Sequence, residues 1–204
     1  MQGHAGGHLR RVQSVAPPPT EAFATAEAWE AWLERHQAEP EGIWLKIAKA
    51  GAATKTVTYQ QALDVALSYG WIDGQKRPLD ADYWLQRFVP RQPRSKWSKI
   101  NRQKAEELTA LGRMKPAGFR EIERAKADGR WEAAYDSPRS ACIPEDLQSE
   151  LDANPEAQAF FALLDSANRY AILYRLQDAK RPDTRAQRLQ KFVGMLNAHQ
   201  KLHP

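Results

Sequence analysis

The chain has 204 residues, of which 42% are apolar, a single cysteine and a formal net charge of +5. This is enough apolar material for one domain or two small ones and too much for a disordered chain, while a lone Cys142 excludes an intrachain disulfide framework and a thiolate metal cluster. No apolar run reaches the roughly 18 residues of a membrane span, and no apolar core follows the early arginines as a secretory signal requires, so a cytoplasmic protein without a membrane span is expected.

Residues 1–19 read as a disordered tail, rich in glycine and alanine and closing on Pro17-Pro18-Pro19, which cannot supply N–H donors to a sheet or helix interior. His4 and His8 fall in this tail, without preorganised geometry for a metal. From Thr25, a suitable N-cap, Ala28, Trp29, Trp32, Leu33 and His36 recur at helical spacing. Gly42 introduces GIWLKIAKA, where Ile43, Leu45 and Ile47 alternate with Trp44, Lys46 and Ala48 as in a strand. YQQALDVALSYG then places Ala62, Leu63, Ala66 and Leu67 on one helix face and stops at Gly70, the residue type suited to the left-handed position after a helix.

WIDGQKR and YWLQRFV, separated by PLDAD, read as a hairpin of two strands, with Asp73-Gly74 as a tight-turn signal at its start. SKWSKINRQKAEELTALG spaces Trp97, Ile100, Ala105, Leu108 and Leu111 for one buried face, and PAGFREIERAKADG runs from Pro116 in the first turn to a stop at Gly129. Beyond the linker bracketed by Pro138 and Pro144, apolar residues recur at three- and four-residue steps (Phe160, Leu163, Leu164; Leu173, Leu176; Leu189, Phe192, Val193, Leu196). The expectation is an α+β fold: a small antiparallel or mixed sheet with flanking helices over residues 20–139, followed by a small all-α module over residues 140–204.

The densest polar stretch, RFVPRQPRSKWSKINRQK, holds Arg87, Arg91, Arg94, Lys96, Lys99, Arg102 and Lys104 and no acidic residue. Interleaved with Ser95, Trp97, Ser98 and Asn101, these cations suit phosphate or carboxylate recognition, because guanidinium forks, hydroxyls and helix-start amides can converge on one anion. Pro90 and Pro93 stiffen the approach and lower the ordering cost. A solvated basic helix face with a serine N-cap is the plainer alternative. A second cluster, Lys180, Arg181, Arg185, Arg188 and Lys191, either contacts phosphate or nucleic acid or complements helix ends, with Asp183 capping. No Walker loop, GxGxxG, HExxH, GxSxG or CxxC spacing occurs, and no metal or cofactor is expected. Cys142 reads as a small packed hydrophobe, and most of the seven tryptophans read as core.

YGWIDGQKRPLD, LQRFVPRQPRSKWSKINRQK, LGRMKPAG and AKADGRWEAAYDSP, in this order, resemble the bacterial YdeI/OmpD-associated family, the bacteriocin-protection proteins. The resemblance runs from about Trp29 to Pro204, and IPEDLQSEL through AKRPDTRAQRLQKFVGML is similar to the small helical domain for which that family is named. It implies a link to bacteriocin tolerance and envelope stress without an established reaction. Ser68 stands where members often have cysteine, and Arg35-His36 where they often have paired histidines, which weakens a thiol mechanism.

Three functions follow from the residues. In the first, Trp71 and Trp97 wall a pocket in which Asp73, Arg91, Arg94, Ser95, Ser98 and Asn101 meet a small anionic or zwitterionic ligand. In the second, an enzyme uses Asp73 as general base, Arg91 to stabilise an anion and Ser98 as a hydroxyl within reach. In the third, the two basic clusters bind nucleic acid with tryptophans as stacking platforms. Asp73 is expected near Arg91 or Asn101, and nothing in the sequence fixes an oligomeric state.

Overall fold

The structure, a computed structural model, describes residues 17–204. The tail up to residue 16, His4 and His8 included, lies outside the described residues. In chain order the elements are β1 (Thr20–Glu21), α1 (Ala26–His36), β2 (Ile43–Ala48), α2 (Tyr59–Ser68), β3 (Trp71–Pro78), β4 (Tyr83–Pro90), α3 (Lys99–Ala110), α4 (Pro116–Ala127), α5 (Glu145–Ala153), α6 (Pro155–Leu163), α7 (Ser166–Gln177) and α8 (Pro182–Asn197). The described residues fall into two compact units: one holds residues 17–66 together with Trp71–Pro90, the other Leu67–Gly70 together with Arg91–Pro204.

The first unit is built on a mixed four-stranded sheet of order β1-β2-β4-β3, in which β1 runs parallel to β2 and the other pairs are antiparallel. At the end of the proline stretch the Pro19 carbonyl accepts from the Trp44 N–H at 2.9 Å. Proline lacks a donor but keeps its acceptor, so Pro19 can serve the sheet without an N–H of its own. Thr25 caps α1 through its hydroxyl, as its position before the amphipathic run predicts. Ile43, Leu45 and Ile47 are buried with Trp29 and Leu33 of α1 and Ala62 of α2. The Trp29 indole N–H, which burial would otherwise leave without water, donates to the Ala62 carbonyl at 3.1 Å. Trp44, which alternation places on the other side of β2, is 7% exposed, because the guanidinium groups of Arg77 and Arg87 lie over its ring at 4.5 and 5.4 Å from the centroid.

Asp73-Gly74 is not a turn. It lies inside β3, at a register shift between Asp73 and Lys76, where Gly74 and Gln75 together face Arg87, as a β-bulge requires. The side chain of Gln86, 3% exposed, holds the irregularity: its amide donates to the carbonyls of Gly74, Gln75 and Arg87 at 3.0, 3.3 and 3.1 Å. A glycine within a strand pattern marks a bulge as readily as a turn, while the hairpin reverses through PLDAD as the sequence predicts, with the Asp80 carboxylate accepting from the N–H groups of Asp82 and Tyr83.

The second unit starts with the four residues it takes from the middle of the chain. Gly70 adopts the left-handed conformation expected after α2, with φ 74°, and a Cβ there would stand 2.9 Å from the Ala117 carbonyl oxygen. Gly118 packs even more closely, since a Cβ would lie 2.4 Å from the Ser68 oxygen, and that oxygen accepts from the Lys115 N–H at 3.1 Å. In α3 the buried stripe is Asn101, Ala105 and Leu108, whereas Ile100 and Leu111 are 50% and 69% exposed. Trp97 precedes the helix, which Ser98 caps, so counting helical phase from Trp97 shifts the predicted face. The C-terminal helices share one core containing Leu147, Leu151, Phe161, Leu164, Leu173, Leu176 and Phe192. Leu163, expected in it, is 80% exposed because α6 ends there and Leu164 turns inward. Asp165 caps α7; Asp183 sits in the first turn of α8, behind Arg181 at the cap position and Pro182.

Candidate functional site

Trp71 and Asp73 belong to the first unit. Trp71 is fully buried, packs edge-on against Trp29 and Trp32 with centroids 6.5 and 6.2 Å away, and donates its indole N–H to the Gln37 carbonyl at 3.1 Å. Its ring belongs to the core packing. Asp73 is half-buried and accepts from the Tyr59 hydroxyl at 2.9 Å. Neither the strand pattern nor the spacing pointed to Tyr59, which reaches β3 from the first turn of α2.

The other expected site residues belong to the second unit. The Arg91 guanidinium stacks on Trp97 at 3.5 Å from the ring centroid and donates to the Lys96 carbonyl at 3.1 Å. Trp131 meets the same indole edge-on at 4.8 Å. Arg91 and Trp97 are 5% and 1% exposed, so the pair shapes the segment from inside rather than offering a surface. Ser95 and Ser98 also act locally, accepting from the N–H groups of Gln92 at 2.9 Å and of buried Asn101 at 3.1 Å. These bonds, together with Pro93, fix the loop that presents Arg94 and Lys96.

That loop borders a cleft of about 370 Å³ with Arg94, Lys96, Arg130 and Lys180 on its walls and two carboxylates, Asp128 and Asp178. Arg130 is clamped: its Nε donates to both Asp128 oxygens at 2.8 Å and its Nη1 to the Ser95 carbonyl at 2.7 Å, while its buried Nη2 has no hydrogen-bond partner among the described residues. Lys96 reaches across to the Asp178 carboxylate and donates to the Tyr174 hydroxyl at 3.1 Å. Partial burial works against the Lys96 ammonium, but the hydrogen bonds to Asp178 and Tyr174 outweigh it and raise its pKa above the ordinary lysine value. Arg94 and Lys180 form no ion pair among the described residues. Four cations against two engaged carboxylates leave the cleft positive, and its two uncommitted cations can accept a small anion.

The structure thus joins Arg94 and Lys96 from the first basic cluster with Lys180 from the second. The remainder of that second cluster divides. Arg185 makes a bidentate pair with Asp146 at 2.6 and 2.8 Å and donates to the Leu176 carbonyl at 2.7 Å, so it ties α8 to α5 and α7. Arg188 donates to the Arg175 carbonyl at 2.6 Å, and Arg181 occupies the α8 cap position. Arg130, Asp128 and Asp178 went unread in the sequence. The signal available for Arg130 was Asp128-Gly129-Arg130, a helix stop followed at once by a charge pair.

Among the described residues no group of three or more His, Cys, Asp or Glu side chains could hold a metal, and no helix is long and apolar enough to cross a membrane. Cys142 is exposed.

The fold is that of an α+β chain with a helical C-terminal module. Residues 140–199 match the family described as Bacteriocin-protection, YdeI or OmpD-Associated, a shorter stretch than the resemblance expected from about Trp29 onward. Residues 21–121 match a Domain of unknown function (DUF8412). No curated protein and no solved structure matches the chain.

Proposed function

We propose that this protein acts in bacteriocin tolerance as a cytoplasmic binding protein for a small anionic or zwitterionic ligand, held in the cleft between Arg94 and Lys180. One observation carries the reading: four cations brought from three separate segments line a single cleft of about 370 Å³, and two of them have no carboxylate of their own. The loop that bears Arg94 is already braced by Pro93, the Ser95 hydroxyl and the Arg91–Trp97 stack. Little ordering entropy is then lost when a ligand docks. Asp128 and Asp178 orient Arg130 and Lys96, and give a zwitterionic ligand a place for its positive end. The description of the C-terminal domain's family supports the wider role.

Titration calorimetry with inorganic phosphate, acetate and glycine at low salt tests the binding. Saturable, salt-sensitive binding of at least one of them is expected, weakened about tenfold or more in Arg94→Ala and in Lys180→Ala, since each removes a charge-assisted contact. At a hundred times its Kd such a ligand also adds roughly 2.7 kcal/mol to the stability, readable as a raised Tm. Absence of saturable binding, or affinity in both variants equal to the parent's, removes the reading. In bacteria challenged with a bacteriocin, the Arg94→Ala/Lys180→Ala double variant is expected to protect less than the parent at equal abundance.

A further inference from the structure

A groove in the first unit has a different chemistry and stands independently of the cleft. Across β2, β4 and β3, Ile47, Trp84 and Pro78 are register neighbours, so their side chains share one face of the sheet. Lys49, two residues after Ile47, and Lys76, two residues before Pro78, lie on the same face by strand alternation and on opposite sides of this row, since β2 and β3 both run antiparallel to β4. This is the face that carries the core, but here Trp84 remains half-buried, with the Tyr59 ring 6.0 Å away between ring centroids. The result is a groove of about 400 Å³ lined by Trp84, Pro78, Lys76, Lys49 and Arg77. The Arg77 guanidinium is engaged elsewhere, over Trp44.

The charge of this groove has one sign. Among the described residues no carboxylate lines it, and neither Lys49 nor Lys76 forms an ion pair. Lys49 donates to the Asp80 carbonyl at 2.5 Å, which fixes its stem and leaves two ammonium protons to offer. The Lys76 ammonium stands 5.9 Å from the Trp84 centroid, at the outer limit of cation–π attraction. It therefore flanks the indole face without closing it. An open aromatic face beside a proline ring suits stacking by a planar ring, and two cations at its border suit an anionic group attached to that ring.

We infer that this groove is a second binding site, for a small molecule made of a planar aromatic ring bearing an anionic group, the chemistry of a nucleoside monophosphate. The ring stacks on Trp84 against Pro78, and the anion lies between Lys76 and Lys49. Stacking and charge must act together, which separates this site from one that collects any anion.

Calorimetry on the full chain at low salt, with adenosine monophosphate, adenosine and inorganic phosphate as probes, decides it. Adenosine monophosphate is expected to bind about tenfold or more tightly than either fragment alone. Lys76→Gln, a change at an exposed position, should weaken that binding about tenfold, and Trp84→Leu should reduce it to the level of phosphate. Trp84→Phe keeps a ring and guards against a mere loss of fold; it should retain most of the affinity, with an unchanged far-UV circular dichroism spectrum. The inference is overturned if the nucleotide binds no better than phosphate, or if Trp84→Leu or Lys76→Gln binds it as the parent does. It is also overturned if Trp84→Phe loses it as fully as Trp84→Leu.

Discussion

The two units spend their positive charge differently. In the sheet unit, Arg77 and Arg87 lie over Trp44 and Lys76 beside Trp84, and none of the three forms an ion pair among the described residues. In the helical unit, Lys96, Lys99, Arg130 and Arg185 are matched with Asp178, Asp136, Asp128 and Asp146. A cation on an indole adds to packing and keeps its long-range field. One in a carboxylate pair is neutralised and positioned, so the field of the helical unit comes from its cations outside such pairs, Arg94 and Lys180 among them. The first arrangement leans on buried area, which salt hardly affects; the second leans on exposed or half-exposed charge, which salt screens.

The largest effect on this contrast is expected from Trp29→Ala. It removes a fully buried ring that touches Phe23, Trp32, Trp71 and Phe88, and large-to-small core changes of this kind cost about 3–5 kcal/mol. Urea denaturation should show that loss unchanged between low and high salt; a strong salt dependence would break the comparison. Next comes Gln86→Leu. It leaves the carbonyls of Gly74, Gln75 and Arg87 without the amide that serves them, a loss of roughly 1–3 kcal/mol, and should speed hydrogen exchange along β3.

In the helical unit, Asp146→Asn is expected to cost about 1 kcal/mol at low salt and less at high salt, because the pair with Arg185 is bidentate but partly open to water. The smallest effect is in pH. Hydrogen bonds from Arg185 hold the Asp146 carboxyl below the ordinary aspartate value, so its contribution is present above an unfolded pKa of about 3.9 and lost as pH falls through the lower folded value. Acid unfolding of the parent should therefore steepen below about pH 4, and Asp146→Asn should be flatter there. Equal curves would mean that the pair does not couple to folding.

Much of the architecture was legible because its signals are local. Thr25 and Ser98 announce helix starts through their own hydroxyls, Gly70 and Gly129 mark stops through positive φ, and the alternation in IWLKIA follows the pleat. The errors arose where a local signal has two structural answers. Asp73-Gly74 serves a bulge as well as a turn, and the choice depends on Gln86, which lies on another strand. Ile100 follows the right spacing from Trp97, but Trp97 is not in the helix. The candidate cleft was half legible: Arg94 and Lys180 stand out as members of basic runs, whereas Arg130 matters only because Ser95 and Asp128 hold it in place, and no spacing in the sequence brings residues 94, 130 and 180 together.

Leu67–Gly70 offers a practical consequence. These four residues precede β3 in the chain yet belong with Arg91 onward, and they supply the carbonyls that receive the N–H groups of Lys115 and Arg91 at 3.1 Å each. Neither unit is therefore one uninterrupted stretch of polypeptide. No single proteolytic nick can release the helical unit intact: a fragment beginning at Arg91 would leave two backbone donors without their acceptors, and one reaching back to Leu67 would carry the whole β3–β4 hairpin, two of the sheet's four strands, with it. On the ribosome, likewise, the stretch that completes the second unit emerges before the first is finished and must wait for it.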